Sequence, residues 1–124
     1  MATGTIPRGL KLLWKNADAT QSFNAQKIDL ADNNCSLFIV LCVHQSNDQT
    51  IFPAAVVVPT MPSVLMDPQG KTNGYTGEIS LIVRKITAST QTSLTFALAD
   101  VLDKNGNAYT GRGDLAVPYA VYGI

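Results

Sequence analysis

Charged residues are scarce in this chain of 124 residues. They make up 15% of the sequence, against about 25% in a typical soluble domain, and nine basic residues balance nine acidic ones. Because no basic cluster is available to neutralise phosphates, we expect no nucleic-acid partner. The sequence contains a single glutamate, Glu78. This scarcity argues against a helical fold, since helices are usually rich in glutamate, lysine, glutamine and alanine.

Long apolar runs are also lacking. The longest uninterrupted one, residues 37–43, has seven residues, whereas a membrane-spanning helix needs about 20. We therefore expect no membrane partner. The N-terminus has no basic segment followed by an apolar core, so the sequence predicts no secretory signal. The chain is accordingly expected to be made in the cytoplasm and kept reduced.

Because the sequence has only two cysteines and one histidine, it offers few candidate metal ligands or catalytic nucleophiles. If Cys35 and Cys42 lie on one strand, they point to opposite faces and sit roughly 23 Å apart. A disulfide needs Cα atoms within about 7 Å, so we interpret both as small buried apolar groups. Cys42 and His44 would share a strand face, but a thiol among aliphatic residues is usually inert. With no nucleophile-elbow motif, no convergent zinc ligands and no distinctive carboxylate pair, the sequence predicts no enzyme, metal or cofactor.

The stretch at residues 35–44 is the one around which the chain is organised. Its β-branched residues favour a strand, and turn-forming residues flank it on both sides. Alternation would place Leu37, Ile39, Leu41 and Val43 on one face. It would place Phe38, Val40 and Cys42 on the other. Because a strand that is apolar on both faces needs cover on both, we predict that Phe38, Val40 and Cys42 form an interface with other copies of the chain.

The remaining sequence reads as further short strands separated by turns. Apolar and polar residues alternate clearly at residues 92–99, which is typical of a half-buried antiparallel strand. At residues 78–87, Ile82, Arg84 and Ile86 share one face. Pro53 indicates an edge strand or a bulge, because proline lacks the backbone N–H. The pattern predicts an all-β fold, a single antiparallel β-sandwich of seven or eight strands that is jelly-roll-like. Residues 10–124 form this domain, and residues 1–9 form an extended arm.

Two polar, glycine-containing segments, residues 67–76 and 100–115, are predicted to be long loops. Loops cluster at the ends of sandwiches and often carry binding residues. Candidate ligand-binding residues in these loops are Asn73, Tyr75, Asn105 and Tyr109. Tyrosines would stack on sugar rings and amides would bond sugar hydroxyls. The alternative is that these are ordinary turn residues, since Asn-Gly pairs at 73–74 and 105–106 are hairpin signals. The tripeptide at residues 112–114, Arg-Gly-Asp, is interpreted as a chance match to an adhesion motif.

Three stretches of the chain carry a family resemblance. The first is Leu12-Leu13-Trp14-Lys15-Asn16, followed by Ala19-Thr20-Gln21-Ser22-Phe23-Asn24-Ala25-Gln26-Lys27-Ile28. The second is Val83-Arg84. The third is the ending Val117-Pro118-Tyr119-Ala120-Val121-Tyr122-Gly123-Ile124. In this order and spacing, the chain resembles the terminal β-sandwich domains of bacteriophage virion proteins found on tail fibres, baseplates and head fibres. Trp14 and Phe23 would then anchor the two sheets across the core.

The resemblance implies a structural protein of a phage or prophage virion, as a decoration, fibre or tail component. It implies assembly as a homo-oligomer, a homotrimer, and attachment to other virion proteins through the arm at residues 1–9. The alternative that it leaves open is a receptor-binding module that recognises a host-surface glycan through the loops at 67–76 and 100–115. A third and weaker hypothesis is an enzyme that depolymerises glycans. The family's domains usually end longer proteins, so residues 1–9 could attach the domain or be a trimmed end.

Overall fold

The computed structural model of the chain describes residues 9–46, 48–69, 80–102 and 108–124. Within these ranges the chain forms nine strands and no helix. The strands are β1 (Lys11–Lys15), β2 (Gln26–Asp29), β3 (Phe38–Gln45), β4 (Asp48–Val57), β5 (Ser63–Gln69), β6 (Ser80–Thr90), β7 (Ser93–Leu102), β8 (Ala108–Arg112) and β9 (Leu115–Gly123). The predicted antiparallel β-sandwich is confirmed, with nine described strands where seven or eight were predicted.

The strands form two antiparallel sheets. One has four strands in the order β1-β9-β3-β4, and the other has five, with the order β2-β7-β6-β5 and with β8 paired to β7. Strands that follow each other in sequence pair within a sheet at β3–β4, β5–β6, β6–β7 and β7–β8. The chain changes sheets between β1 and β2, β2 and β3, β4 and β5, and β8 and β9. Pro53 lies on β4, an edge strand, beside an irregularity in the β3–β4 register. This agrees with the position expected for a residue that cannot donate to the ladder.

The core lies between the two sheets and contains a short chain of aromatic contacts. The Trp14 and Phe23 rings meet edge to face with centroids 6.0 Å apart, and the Phe23 and Phe96 rings do so at 5.6 Å. Phe23 is buried, and Trp14 packs partly buried against the same cluster. Because Trp14 lies on β1 and Phe96 on β7, these contacts connect the two sheets, as the sequence predicted for Trp14 and Phe23.

The prediction of a long loop at residues 100–115 is wrong for much of this segment. Strand β7 continues to Leu102, β8 covers Ala108–Arg112, and β9 already begins at Leu115. Val101 and Leu115 belong to a second buried cluster, together with Ile82, Ala99 and Ala116. The predicted loop at 67–76 also begins inside a strand, because β5 continues to Gln69. In residues 100–115, the burial of Val101 and Leu115 and the pairing of β8 with β7 outweigh the turn-forming residues near them.

Arg84, on the inner face of β6, is completely buried. Its guanidinium donates hydrogen bonds to the carbonyl oxygens of Phe23 (3.0 Å), Ala97 (2.8 Å), Gly113 (3.1 Å), Leu115 (2.8 Å) and Ala116 (3.1 Å). Burial lowers the pKa of Arg84 to about 10 because it disfavours the charged form. All these acceptors are neutral, so one buried cation holds together β6, β7, the start of β9 and the segment that precedes β2.

Candidate interaction surface

A row of apolar side chains crosses the outer face of the four-stranded sheet. Leu12 on β1 pairs with Tyr122 on β9, Tyr122 pairs with Ile39 on β3, and Ile39 pairs with Val56 on β4. Directly opposed residues of antiparallel strands lie on the same face. This row therefore runs without a break from one edge of the sheet to the other.

The row points away from the core, because each of its members has a buried neighbour in its own strand. The neighbours are Leu13, Val121, Phe38, Val40 and Val57, which are all buried in the sandwich. Since successive side chains on a strand point to opposite faces, the row must face outward. Leu12 is 47% exposed and Val56 62% exposed, while Ile39 and Tyr122 are partly buried by their neighbours.

Three more apolar residues extend this surface along the strands. Leu37 and Ile124 bond each other's backbone in both directions and are 36% and 51% exposed. Leu41, two residues beyond Ile39, pairs with Ala120. Lys15, which also pairs with Ala120, brings a charge to the border of the surface. We call this surface the outer apolar face. It comprises Leu12, Leu37, Ile39, Leu41, Val56, Tyr122 and Ile124.

The predicted oligomer interface is wrong in its residues. Phe38, Val40 and Cys42 are fully buried by their own chain and belong to the sandwich core. They therefore cannot contact a second copy without unfolding. The prediction assigned the two faces of β3 the wrong way round: Leu37, Ile39 and Leu41 point outward instead. Val43, which alternation placed with them, is fully buried. Alternation identifies two faces, but it does not say which of two apolar faces the second sheet covers.

The candidate glycan-binding residues are not brought together by the described structure. Asn73, Tyr75 and Asn105 lie outside the described residues. Tyr109 belongs to β8, where its backbone pairs with Val101, and its side chain lies outside the described part. Glycan binding through these residues therefore stays a prediction of the sequence. Residues 1–8 of the arm, predicted to attach to other virion proteins, also lie outside the described residues.

The Cys42–His44 pair considered from the sequence lacks the arrangement of a nucleophile and base. Burial raises the pKa of the Cys42 thiol and keeps it neutral. The His44 ring instead stacks on Phe52, with centroids 4.6 Å apart, and its Nδ1 lies 2.8 Å from both carboxylate oxygens of Asp67. Asp67 is buried on β5, so this contact joins the two sheets. Sequence spacing could not reveal it, because the two residues are 23 positions apart.

The arginine and the aspartate of the Arg-Gly-Asp tripeptide form an ion pair with each other. Arg112 donates to both carboxylate oxygens of Asp114, at 2.9 and 2.8 Å. This pairing lowers the pKa of Asp114 by stabilising its carboxylate. Both charged groups of the tripeptide thus bind each other within the chain, which gives them a local structural role.

The described residues include no group of three or more histidine, cysteine, aspartate or glutamate side chains placed to share a metal ion. Nor do they include a helix long and apolar enough to cross a membrane. In comparisons with known proteins, no family model, no curated protein and no solved structure matches this chain. Among the described residues, the outer apolar face is the feature that points to a function.

Proposed function

We propose that the chain is a structural protein of a bacteriophage or prophage virion, a decoration, fibre or tail component that assembles as a homo-oligomer. The observation that carries this proposal is the outer apolar face. A stable sandwich needs only one apolar face per sheet, and antiparallel sheets usually present polar residues to water on the other. An uninterrupted apolar row from one edge of the sheet to the other supports a partner that covers this face.

The low charge of the chain supports the same role. Soluble monomers generally keep charged side chains interspersed on their surface and avoid large apolar patches. Here the row from Leu12 to Val56 contains no charge, and Lys15 lies only at the border of the face. A protein that spends its functional life packed in a particle has no need of a charged surface on the packed side.

The three stretches that carry the family resemblance have central structural positions. Trp14 and Phe23 of the first stretch connect the two sheets through their ring contacts. Arg84 of the Val-Arg pair is the buried cation that joins the strands. The closing stretch is β9, which supplies Val117 and Val121 to the core and Tyr122 to the outer apolar face. These residues are therefore ones on which the fold depends, and this supports their use as markers of a family of sandwich domains.

Particle association tests this function directly. Phage particles from the host that encodes this chain would be purified on a density gradient, and their peptides would be quantified by mass spectrometry. We expect the chain to band with the particles in several copies per particle. A chain that is abundant in the lysate but absent from banded particles would contradict the virion role. Treatment of the particles with high salt would separate built-in copies from adsorbed ones.

A further inference from the structure

We infer that the outer apolar face binds the same face of a second copy, so that two chains pack sheet against sheet around a two-fold axis. This inference rests on the homo-oligomer of the proposed function and adds its surface and symmetry. The central contacts would come from Ile39 and Tyr122, the two inner members of the row, with Leu12 and Val56 at its ends.

The charge distribution favours a copy of the same chain as the occupant. A face that carries one sign of charge repels its own copy, whereas an uncharged face does not. The row is uncharged across its whole width, and the described charge that borders it, Lys15, lies at one edge of the sheet. Lys15 is also held over the Tyr119 ring, with its Nζ 5.3 Å from the ring centroid. Nothing in the row therefore opposes self-contact.

The shape of the face also fits a two-fold pair. A two-fold axis lying between the sheets and through the middle of the row brings the row onto its own copy, as an isologous contact requires. Two sheets that pack in this way keep their strands within about 30° of each other, at a spacing of about 10 Å. A closed trimer needs two different complementary surfaces on each copy, and the outer apolar face is a single one.

The size of the face sets the expected strength of the contact. Four strands at about 4.8 Å spacing, with three rows of residues, cover an area of about 20 Å by 20 Å on each copy. That is about half of the roughly 800 Å² per partner in a standard stable interface. We therefore expect a reversible pair in dilute solution, which other contacts would reinforce at the high local concentration of a particle.

Sedimentation velocity over a concentration series of the full-length chain tests the inference. The variants are Val56→Lys and Leu12→Lys, which place a charge at opposite ends of the row at positions that are 62% and 47% exposed in the single chain. The matched control is Val64→Lys on β5, because Val64 is 39% exposed on the edge strand of the other sheet. Circular dichroism and thermal unfolding would verify that each variant folds.

We expect the unmodified chain to reach twice its mass of 13.2 kDa as concentration rises. Val56→Lys and Leu12→Lys should each weaken the association about 30-fold or more, because each removes an unpaired charge from water in the contact, while Val64→Lys leaves it unchanged. An oligomer that both row variants leave intact would overturn this inference and leave the proposed function standing. A trimer would overturn the two-fold symmetry. A chain that stays monomeric at every concentration would overturn the pair and the homo-oligomer together, and would mean that a different partner covers the face.

Discussion

Arg84 offers the sharpest test of how this sandwich is held together. Its guanidinium makes five hydrogen bonds of 3.1 Å or less to backbone carbonyls, at residues 23, 97, 113, 115 and 116. Replacement by methionine keeps an apolar stem of similar length and removes all five donors. The carbonyls that lose their donor would lie buried, where an unsatisfied polar group costs free energy.

The magnitude follows from two opposing effects. A hydrogen bond to a charged group contributes about 1.5 kcal/mol net at the lower end of the usual range, so five contribute about 7.5 kcal/mol. Removal of the buried charge also removes its desolvation cost. The fall of the pKa of Arg84 from 12.5 to about 10 corresponds to a cost of about 3.5 kcal/mol. Arg84→Met should therefore lower the free energy of unfolding by about 4 kcal/mol, a large part of the typical 5–15 kcal/mol of a domain. Arg84→Lys keeps the charge but has three donors, so it should recover only part of this loss.

Equilibrium unfolding in urea, followed by the fluorescence of the single tryptophan, Trp14, measures the effect. Low protein concentration keeps the chain monomeric during the measurement. Lys85→Met is the matched control, because Lys85 is the exposed neighbour of Arg84 on the same strand, and it should change stability by no more than about 0.5 kcal/mol. If Arg84→Met stays within about 1 kcal/mol of the unmodified chain, the carbonyl contacts do not hold the strands together and our reasoning is refuted.

Three further predictions concern other buried or paired groups. Gly123→Ala should lower the free energy of unfolding by about 1–3 kcal/mol through overpacking, because a Cβ there would lie 2.6 Å from the Cys35 Sγ. In urea unfolding, the further change Cys35→Ala should recover part of this loss. If the effects of the two changes on the free energy of unfolding simply add, the added methyl group does not press on Cys35. In the native chain a thiol reagent should modify Cys35 readily and Cys42 only on unfolding, because Cys42 is fully buried; equal rates would contradict this. The hydrogen bonds from Arg112 lower the pKa of Asp114 below 3.8, so the stability from this pair is present above about pH 4 and is lost as the pH falls through the lowered pKa. In thermal unfolding scans, Asp114→Asn should make this loss of stability at acid pH smaller. A variant with the same dependence of stability on pH as the unmodified chain would count against the pair.

The sequence predicted strands well where alternation was regular. The strand predicted at residues 92–99 corresponds to β7, which covers Ser93–Leu102. Ile82, Arg84 and Ile86 share one face as the spacing indicated, and the structure places that face in the core. These assignments depend on side-chain parity, which is a local property of an extended chain. The role of Arg84 was not predictable in this way, because its acceptors are up to 61 residues away in sequence and meet only in the fold.

The prediction failed where turn-forming residues stand next to short buried strands. Residues 100–115 contain several aspartates, asparagines and glycines, which favour turns. However, Val101 and Leu115 are buried, and β8 pairs with β7 beside them. Pairing and burial are long-range effects, so local composition underestimates how far such strands extend. The contact of His44 with Asp67 across the two sheets could not be predicted from local composition for the same reason.

The sequence by itself determined that the chain is an all-β sandwich and that β3 is apolar on both faces, because composition and parity are properties of neighbouring residues. Only the tertiary structure decided which face of β3 is covered, because that depends on how the second sheet packs against the first. The second sheet covers Phe38, Val40 and Cys42 and leaves Ile39 outside, in line with Tyr122 on the adjacent strand. The exposed apolar surface of this protein is thus a consequence of sheet packing, which a single strand pattern cannot specify.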